Sequence, residues 1–491
     1  MSKKKAVCKV AFVGSECYPF VKTGGLGDVM YALPRALIRE GCSVRVILPL
    51  YRCIPEKFRN MMKYIGSFMM DLTMEGRTFY VGIMEAEMDG VTYDFIDNRE
   101  FFDWGNPYTG LWEDIPKYCY FSKAALAVLN YLKWYPDVIH CHDWQAALVP
   151  LYLRTKFWNC PLKDSKSMLT IHNLRFQGIC SIPHLKYWSG LPDGLFDYPV
   201  FKQNEEEANM FKAGLAYADA ITTVSATYAK EIQTPEFGEH LDAHLRYHAV
   251  RMRGIVNGID TDLWDSSKDK LLAAPYDAGN VLERKWDNKQ ALREQLGLNR
   301  EGEDGGKIVL GLVSRLTDQK GLDLVDAIFP KIMDGRTQVV VLGTGDPRYE
   351  NAFRYYEDKY KGDVCAYISY NEALAHRIYA GADAFLVPSL FEPCGLTQLI
   401  AMRYGTVPIV RETGGLKDTV LPYDPETNEG NGFTFDRYSP DLLLEAVEKA
   451  KELFFGDRQR WDAMVRRNME KDVSWEQSAK QYLDFYLELK K

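Results

Sequence analysis

Residues 383–398 read DAFLVPSLFEPCGLTQ, an apolar run of strand length followed by a loop with Pro and Gly and by the start of a helix. Short apolar runs that alternate with helical patterns are typical of parallel sheets covered by helices. The same pattern predicts strands at 9–15, 43–50, 136–143, 167–173 and 219–225 in the first half of the chain, and at 307–315, 337–345, 364–370, 383–389 and 406–412 in the second. We therefore predict an α/β protein with two Rossmann-like domains, each built on a parallel sheet.

The length supports this division, because 491 residues are about three times the ~150 residues of a typical domain. The sequence Ala-Asp-Ala also recurs, at 218–220 and at 382–384, each time before a predicted strand. We expect an N-terminal domain over 1–253, a second domain over 254–473, and a C-terminal helix over 474–491 that crosses back to the first domain.

Composition excludes one class of partner. The chain has 60 Lys and Arg against 68 Asp and Glu, a net charge of −8, whereas affinity for nucleic acid comes largely from clustered cations. We therefore expect no nucleic-acid partner. Aromatic residues make up 13% of the chain, which suits either large cores or surfaces that stack on planar or sugar rings, and composition leaves both alternatives open.

The ten cysteines contain no C-x-x-C pair and no zinc-finger spacing, as expected for reduced thiols in a cytosolic protein. The basic start, MSKKK, precedes an apolar run too short for a signal peptide, and no stretch of ~18 apolar residues could cross a bilayer. The sequence thus predicts a cytoplasmic protein without a membrane partner.

The loop after the first predicted strand, KTGGLGDV at 22–29, is rich in glycine. Glycines let the backbone approach an anion closely, and the amides at a helix start favour negative charge. The glycine spacing matches neither the dinucleotide fingerprint G-x-G-x-x-G nor a P-loop. A tight turn between strand and helix remains an alternative, whereas the flanking charges of Lys22 and Asp28 favour contact with a polar ligand.

In the second half, SRLTDQKG at 314–321 lies between a predicted strand and a predicted helix. Arg315 and Lys320 are therefore expected at the carboxyl edge of a parallel sheet, where open α/β folds bind ligands. Two cations there would neutralise a diphosphate without a metal. The alternative is a pair of surface cations bonded to neighbouring acids.

The loop at 389–398 occupies the corresponding position after a later strand. Pro393 and Gly395 predict a turn around Cys394, and the amides of the helix that follows could hold a phosphate oxygen. Glu392 is suited to bonding sugar hydroxyls or to stabilising developing positive charge. Since no base lies beside Cys394 in the sequence, a packed turn residue is favoured over a thiol nucleophile.

Three histidines raise the question of a metal site, because His140 and His142 flank Cys141 and His172 lies on the next predicted strand. Since strand residues alternate between two faces, we expect only one of the first two to face a given ligand. Asp260 and Asp262 resemble a metal-binding Asp-x-Asp pair, although capping by Asp260 is the simpler interpretation. We expect no metal site.

Taken together, these motifs resemble the bacterial glycogen synthase and plant starch synthase family, the retaining glucosyltransferases of glycosyltransferase family 5 with the two-domain GT-B fold. The resemblance runs nearly end to end, through KTGGLGDV, HDWQAALVP (142–150), IHNLRFQG (171–178), TPEFGEHLDAHLR (234–246), VNGIDTDLWD (256–265), SRLTDQKG, HRIYAGADAFLVPSLFEPCGLTQ (376–398) and TGGLKDTV (413–420). It implies transfer of glucose from ADP-glucose, or sometimes UDP-glucose, to the nonreducing end of an α-1,4-glucan such as glycogen or starch.

The resemblance also implies roles for individual residues. Arg315 and Lys320 would bind the donor diphosphate, and Glu392 would hold the donor glucose. His172 would lie over the reacting carbon, with Asp143 near the reaction centre. The other donor contacts that it implies are Lys22, Gly24, Gly25, Asp28, Asn257, Tyr370, Cys394, Gly395, Leu396 and Thr397, with Tyr108 on the acceptor side.

The implied mechanism keeps the anomeric configuration by a front-face route, in which the departing phosphate takes the acceptor proton and the two domains close over the donor. No cofactor or metal is implied. A double displacement would need a carboxylate nucleophile, for which Glu392 and Asp143 are the candidates.

Two departures from the family pattern stand out. Arg175-Phe176 replaces a small residue and Tyr, and Ile400 replaces the second glutamate of sucrose-type transferases. Two alternatives remain open: a GT-B enzyme that makes a small oligosaccharide, and an inactive glucan-binding paralogue. The presence of Lys22, Arg315, Lys320 and Glu392 argues against an inactive paralogue, because a pure binder has no need of charges that bind a diphosphate. The absence of the G-x-G-x-x-G fingerprint argues against a dehydrogenase.

Overall fold

The computed structural model describes residues 6–299 and 306–491. Within them the chain divides into two compact units: the segment up to Asn257 together with Trp475–Lys491, and Gly258–Ser474. We call these the first and second unit. The division falls after Asn257, a few residues beyond the boundary expected near 254, because the strand Met252–Gly254 still pairs within the sheet of the first unit.

The first unit is built on a sheet that has nine strands among the described residues. The strands of this unit are β1 (Lys9–Val13), β2 (Ser43–Pro49), β3 (Lys63–Asp71), β4 (Thr78–Met88), β5 (Val91–Asp97), β6 (Val138–His142), β7 (Lys166–Ile171), β8 (Ile179–Ser181), β9 (Glu207–Asn209), β10 (Ala220–Thr223) and β11 (Met252–Gly254). The order is β11-β10-β7-β6-β1-β2-β5-β4-β3, and β8 pairs separately with β9. Strands from β11 to β5 are parallel, and the order reverses between β1 and β6.

The antiparallel end of this sheet was not predicted from the sequence. β4 pairs antiparallel with both β5 and β3. The apolar run of β5 is interrupted by Asp94, which is fully buried and accepts two hydrogen bonds from Arg45, at 2.7 and 2.9 Å. A buried charge is tolerated when it is paired in this way, so the strand lacks the apolar signal that marks its neighbours.

Helices follow most of the strands. Those of the first unit up to Asn257 are α1 (Gly25–Arg39), α2 (Glu56–Arg59), α3 (Arg99–Phe102), α4 (Leu111–Tyr131), α5 (Leu148–Thr155), α6 (Ile182–Ser189), α7 (Met210–Tyr217), α8 (Ala226–Glu231) and α9 (Asp242–Tyr247). Residues Val10–Val13 of β1 are fully buried in the core of the unit. A central strand covered on both faces explains its continuous apolar sequence.

The second unit is an all-parallel sheet with its own core. Its strands are β12 (Ile308–Val313), β13 (Thr337–Leu342), β14 (Val364–Tyr367), β15 (Ala384–Val387), β16 (Val407–Arg411) and β17 (Phe433–Phe435), in the order β14-β13-β12-β15-β16-β17. Its helices are α10 (Val281–Leu296), α11 (Leu322–Ile332), α12 (Pro347–Lys359), α13 (Glu372–Gly381), α14 (Thr397–Arg403), α15 (Gly414–Thr419), α16 (Pro440–Gly456) and α17 (Arg458–Glu470). The order reverses between β12 and β15.

The repeated Ala-Asp-Ala has the same structural role in both units. Asp219 accepts a hydrogen bond from the backbone N–H of Ser167 at the start of β7, at 2.7 Å. Asp383 accepts one from the N–H of Val309 in β12, also at 2.7 Å. In both places a carboxylate satisfies a strand amide next to the sheet, as buried backbone donors require.

The C-terminal helix α18 (Trp475–Leu489) belongs to the first unit although it follows the second in sequence. Trp475, Ala479 and Tyr482 are buried in the first-unit core. The hydroxyl of Tyr486 lies 2.7 Å from Nδ1 of His140 on β6. Across both described segments, no helix is long and apolar enough to span a membrane.

Candidate active site

Open parallel sheets bind ligands beyond the carboxyl ends of their strands, at the point where the strand order reverses. That point lies at the ends of β1 and β6 in the first unit, and at the ends of β12 and β15 in the second. The segments that follow these four strands carry Glu16, Asp143, Arg315 and Glu392 respectively. Three of the four were singled out from the sequence.

Glu16 organises the glycine-rich loop of the first unit. Its buried carboxylate accepts the backbone N–H groups of Thr23 and Gly24, and also the hydroxyls of Thr23, at 3.0 Å, and Tyr108, at 2.9 Å. Burial raises the pKa of Glu16, and these hydrogen bonds oppose the rise. Sequence reasoning missed Glu16, although it lies only three residues after a strand, closer than Glu392 does.

The two charged residues of the loop at 22–29 are paired with each other. Lys22 donates to Asp28 at 2.7 Å, and α1 begins at Gly25. Gly24 has an extended backbone, and a Cβ added there would meet no atom within 4 Å. Neither backbone conformation nor packing within the unit therefore requires glycine at 24, so the space beside it is available to a ligand.

Tyr108 lies against the same loop. Its hydroxyl bonds Ser15, at 3.0 Å, as well as Glu16, while the residue as a whole is 37% exposed. An aromatic ring with an anchored hydroxyl and an exposed face can stack on a planar or sugar ring. The structure thus brings Tyr108 beside the loop that carries Lys22 and Gly24.

Asp143 follows β6 in a strained conformation, with φ 56° and ψ −174°. Non-glycine residues occupy this region rarely, and mostly at functional sites. Its carboxylate accepts the backbone N–H groups of His172, at 2.7 Å, and of Asn173, at 3.4 Å, at the end of β7. Burial nevertheless raises the pKa of Asp143 to about 7.

The expectation that only one of His140 and His142 faces a given ligand is wrong. The two residues are two positions apart on β6, so both point to the same face, and their ring centroids are 4.2 Å apart. Nδ1 of His142 lies 2.9 Å from Nε2 of His172. Burial lowers the pKa of His172 to about 3 and that of His142 well below its usual range, so both are neutral at pH 7.

In the second unit, the two cations of SRLTDQKG have different surroundings. Lys320, in the 3-10 turn Asp318–Lys320, donates to Glu392 at 2.6 Å. Arg315 is exposed, and its side chain makes no hydrogen bond or ion pair with any other residue in the described ranges. The guanidinium therefore lies at the switch point with its donors accessible from solvent.

Glu392 is nearly buried, at 7% exposure, and also accepts a hydrogen bond from the Ser389 hydroxyl at 2.9 Å. Arg411 at the end of β16 donates to the carbonyl oxygens of Ser389, at 2.9 Å, and of Leu390. Ser389 and Arg411 thus fix the loop that carries Glu392. Sequence reasoning missed this role for both; the signal for Arg411 was its position at the end of a predicted strand.

The turn after Glu392 packs against the second glycine pair of the chain. Gly395 has φ 73°, in the left-handed region that favours glycine. A Cβ added to Gly415 would lie 2.0 Å from the carbonyl oxygen of Cys394. Leu396 is the N-cap residue of α14, and Thr397 is its first residue. The structure thus explains the glycines here by close packing.

The remaining predicted residues lie further from these clusters in sequence. Asn257 is buried at the end of the first unit, and its Oδ1 lacks a hydrogen-bond partner within the described ranges. Tyr370 follows β14 and is 81% exposed. Asp260 accepts the N–H groups of Asp262 and Leu263, at 3.0 and 3.2 Å, which is the geometry of a cap. No cluster of three potential metal ligands occurs in the part of the chain that is described.

Two family models match the chain. The starch synthase catalytic domain matches residues 9–247, and glycosyl transferases group 1 matches residues 297–467. With two Rossmann-like units and polar clusters at both switch points, the chain is therefore a glycosyltransferase of the GT-B class, as predicted. The more specific assignment comes from individual relatives.

Curated glycogen synthases are similar over almost the whole chain. That of Lachnospira eligens is 48% identical over 478 residues, which are 97% of this chain and 99% of that protein. That of Clostridioides difficile is 43% identical over 485 residues, which are 98% and 99% of the two chains. The chain belongs to the glycogen synthase family, which confirms the resemblance and the predicted glucosyltransferase activity.

Solved structures agree. The catalytic domain of starch synthase IV from Arabidopsis thaliana, bound to ADP and acarbose, matches with a TM-score of 0.90 and 34% identity, over 99% of this chain and 100% of that one. Sucrose-phosphate synthase from Thermosynechococcus elongatus matches with a TM-score of 0.60 and 19% identity, over 98% and 99% of the two chains. The second likeness shows the shared fold alone.

Proposed function

We propose that this glycogen synthase homologue transfers glucose from ADP-glucose to the 4-hydroxyl at the nonreducing end of an α-1,4-glucan, with retention of configuration. The observation that carries the proposal is the pair of cations at the second switch point. Lys320 is bonded to Glu392, and Arg315, five residues before Lys320, is exposed. ADP and acarbose, a nucleotide and an oligosaccharide analogue, are the ligands named for the starch synthase IV structure.

Lys320 and Arg315 would bind the donor diphosphate. Arg can bond phosphate oxygens in a fork, whereas Lys acts as a point charge, so the two together offset most of the charge that develops on the leaving nucleotide. A phosphate that attracts Lys320 would weaken its bond to Glu392. The carboxylate would then be able to accept hydrogen bonds from the donor glucose, while Ser389 keeps it in position.

The turn after Glu392 would complete the donor site. We assign Cys394, Gly395, Leu396 and Thr397 to the sugar and the distal phosphate. ADP is proposed as the nucleotide because it is the one named for the starch synthase IV structure. Tyr370 would stack on its base, because the 81% exposed ring offers a large aromatic face. Transfer from UDP-glucose is the comparison that tests the choice of ADP.

In the first unit, His172 and Asp143 would act near the reacting carbon. Lys22, Gly24, Gly25, Asp28 and Asn257 would contact the donor, and Tyr108 the acceptor. Retention would follow the front-face route, in which the departing phosphate removes the acceptor proton. Asp143 is poorly suited to be a covalent nucleophile, because it accepts two backbone hydrogen bonds and burial raises its pKa to about 7.

No metal or cofactor is proposed, because Arg315 and Lys320 supply the positive charge that a divalent ion supplies in other nucleotide-sugar enzymes. Transfer should therefore persist in excess EDTA. Strict dependence on Mg²⁺ or Mn²⁺ would contradict this part of the proposal.

The test is incorporation of radiolabelled glucose into glycogen from ADP-glucose and from UDP-glucose, side by side. Glu392→Ala should lose nearly all activity, whereas Glu426→Ala, an exposed carboxylate of the same unit, should keep it. Label that appears only in a small soluble product would favour an oligosaccharide-forming enzyme. Glucan binding without any transfer would favour an inactive paralogue.

A further inference from the structure

The histidine pair of the first unit has a geometry that restricts where its protons lie. His142 on β6 is fully buried, stacked on Phe12 with centroids 5.4 Å apart and in tilted contact with His140, at 4.2 Å between centroids. Its Nδ1 lies 2.9 Å from Nε2 of His172. Its own Nε2 has no hydrogen-bond partner within residues 6–299 and 306–491.

Both rings are neutral, so each carries one N–H, and one of the two facing nitrogens must donate to the other. If His172 donated, His142 would carry its proton on the buried and unpartnered Nε2. A buried N–H without an acceptor costs more than a buried lone pair without a donor. The proton of His142 therefore lies on Nδ1, and His142 is the donor.

This assignment determines the state of the second ring. Since Nε2 of His172 accepts, its single proton lies on Nδ1. We propose that His142 is a positioning residue that fixes His172 as the Nδ1–H tautomer and so presents a hydrogen-bond donor to the sugar being transferred. The tautomer follows from the geometry and burial of the two rings, whereas the identity of the acceptor as a sugar rests on the proposed function.

His140 cannot take the place of His142. Both its nitrogens are engaged, Nδ1 with the Tyr486 hydroxyl at 2.7 Å and Nε2 with the Thr170 hydroxyl at 2.5 Å. Its ring lies 4.9 Å from that of Phe12, and both rings contact that of His142, at 4.2 and 5.4 Å between centroids. The ring is thus kept at one angle, as a single directed hydrogen bond requires.

The first test is the tautomer itself. Full-length protein with ¹⁵N-labelled histidine can be studied by long-range ¹H–¹⁵N correlation spectra, which distinguish the two neutral tautomers, with the signals of His172 assigned from a His172→Gln variant. We expect His172 as Nδ1–H in the wild type. An Nε2–H signal for His172 would overturn the proposal.

The second test separates positioning from packing. His142→Phe keeps an aromatic ring but removes the donor, and His142→Asn keeps an N–H near the position of Nδ1. We expect His142→Phe to lower kcat by roughly 10- to 100-fold with little change in the donor KM, and His142→Asn to stay within about fivefold of wild type. His172 should become a mixture of tautomers in the Phe variant alone.

Cys141→Ala is the matched control, because Cys141 is equally buried on the same strand but points to the opposite face. Its kcat should stay at the wild-type value. Equal losses in the Phe and Asn variants, with the tautomer unchanged, would show a packing role and overturn the proposal. If the wild type transferred no glucose from any nucleotide sugar, the proposed function would fail while the tautomer measurement still tested this inference.

Discussion

Lys320 donates to Glu392 at 2.6 Å, and this ion pair joins the loops that follow β12 and β15, where the strand order of the second unit reverses. The cation expected at a diphosphate and the carboxylate expected at a sugar thus hold each other in place. Such a pair keeps both side chains ordered and lets an incoming phosphate compete for the lysine.

Replacing Lys320 by Ala should lower the catalytic efficiency much more than the stability of the fold. We expect kcat/KM for the nucleotide sugar to fall by about 100-fold or more, because a donor aimed at developing negative charge is lost. The free energy of unfolding should change by no more than about 2 kcal/mol, since Ser389 still bonds Glu392. Lys331→Ala, an exposed cation of the same unit, is the control, and equal kinetics for both variants would contradict the role of Lys320.

The two glycine pairs should respond differently to a single methyl group. Gly24→Ala should fold as the wild type does, because its added Cβ meets no atom within 4 Å, but should raise the donor KM if a ligand occupies that space. Gly415→Ala should instead lose stability, because its Cβ would lie 2.0 Å from the carbonyl oxygen of Cys394. Thermal unfolding and initial rates measure both effects. An unchanged donor KM in the Gly24 variant would show that the space beside Gly24 is not part of the donor site.

Asp143 should make stability depend on pH. Its pKa rises from the usual 3.8 of an aspartate to about 7 on folding, so the folded state binds more protons and this group makes the protein less stable as pH rises from about 4 to 7. Asn keeps an acceptor for the His172 N–H and tolerates a positive φ. The Asp143→Asn variant should therefore gain more than about 1 kcal/mol relative to wild type between these pH values. If the free energies of unfolding of the two proteins changed equally with pH across that range, the raised pKa of Asp143 would be refuted.

Tyr486→Phe tests the attachment of the C-terminal helix. The hydroxyl lies 2.7 Å from the buried Nδ1 of His140, so its loss leaves that nitrogen without its partner. We expect the free energy of unfolding to fall by about 1–3 kcal/mol. Tyr247→Phe, which removes the hydroxyl of an 83% exposed residue, should be neutral.

Much of the fold could be predicted from the sequence because the parallel strands are buried on both faces. The runs at 308–313 and 384–387 contain only apolar residues and glycine, and such strands are recognisable without their neighbours. β4 and β5 were missed because their sequences mix charged and apolar residues. Asp94 is acceptable within β5 only because Arg45, 49 residues away, supplies its partner.

The candidate site was predictable where charged residues lie in a motif between a predicted strand and the next predicted helix, as Arg315 and Glu392 do. Residues that hold the loops of the site in position were not predictable in this way. Glu16 and Arg411 bond backbone groups of loops that only the folded chain brings beside them, so no local pattern marks their contacts. The prediction that only one of His140 and His142 faces a given ligand failed for another reason. Residues two apart on a strand share a face, so the spacing of the two histidines already predicted the observed arrangement.

The most direct measurement of the central claim is the product formed from radiolabelled ADP-glucose and glycogen. Wild-type protein should extend the glucan with label that β-amylase releases as maltose, which requires new α-1,4 linkages at nonreducing ends, and Glu392→Ala should not. Label confined to a small soluble product, or full activity in the Glu392 variant, would contradict the account.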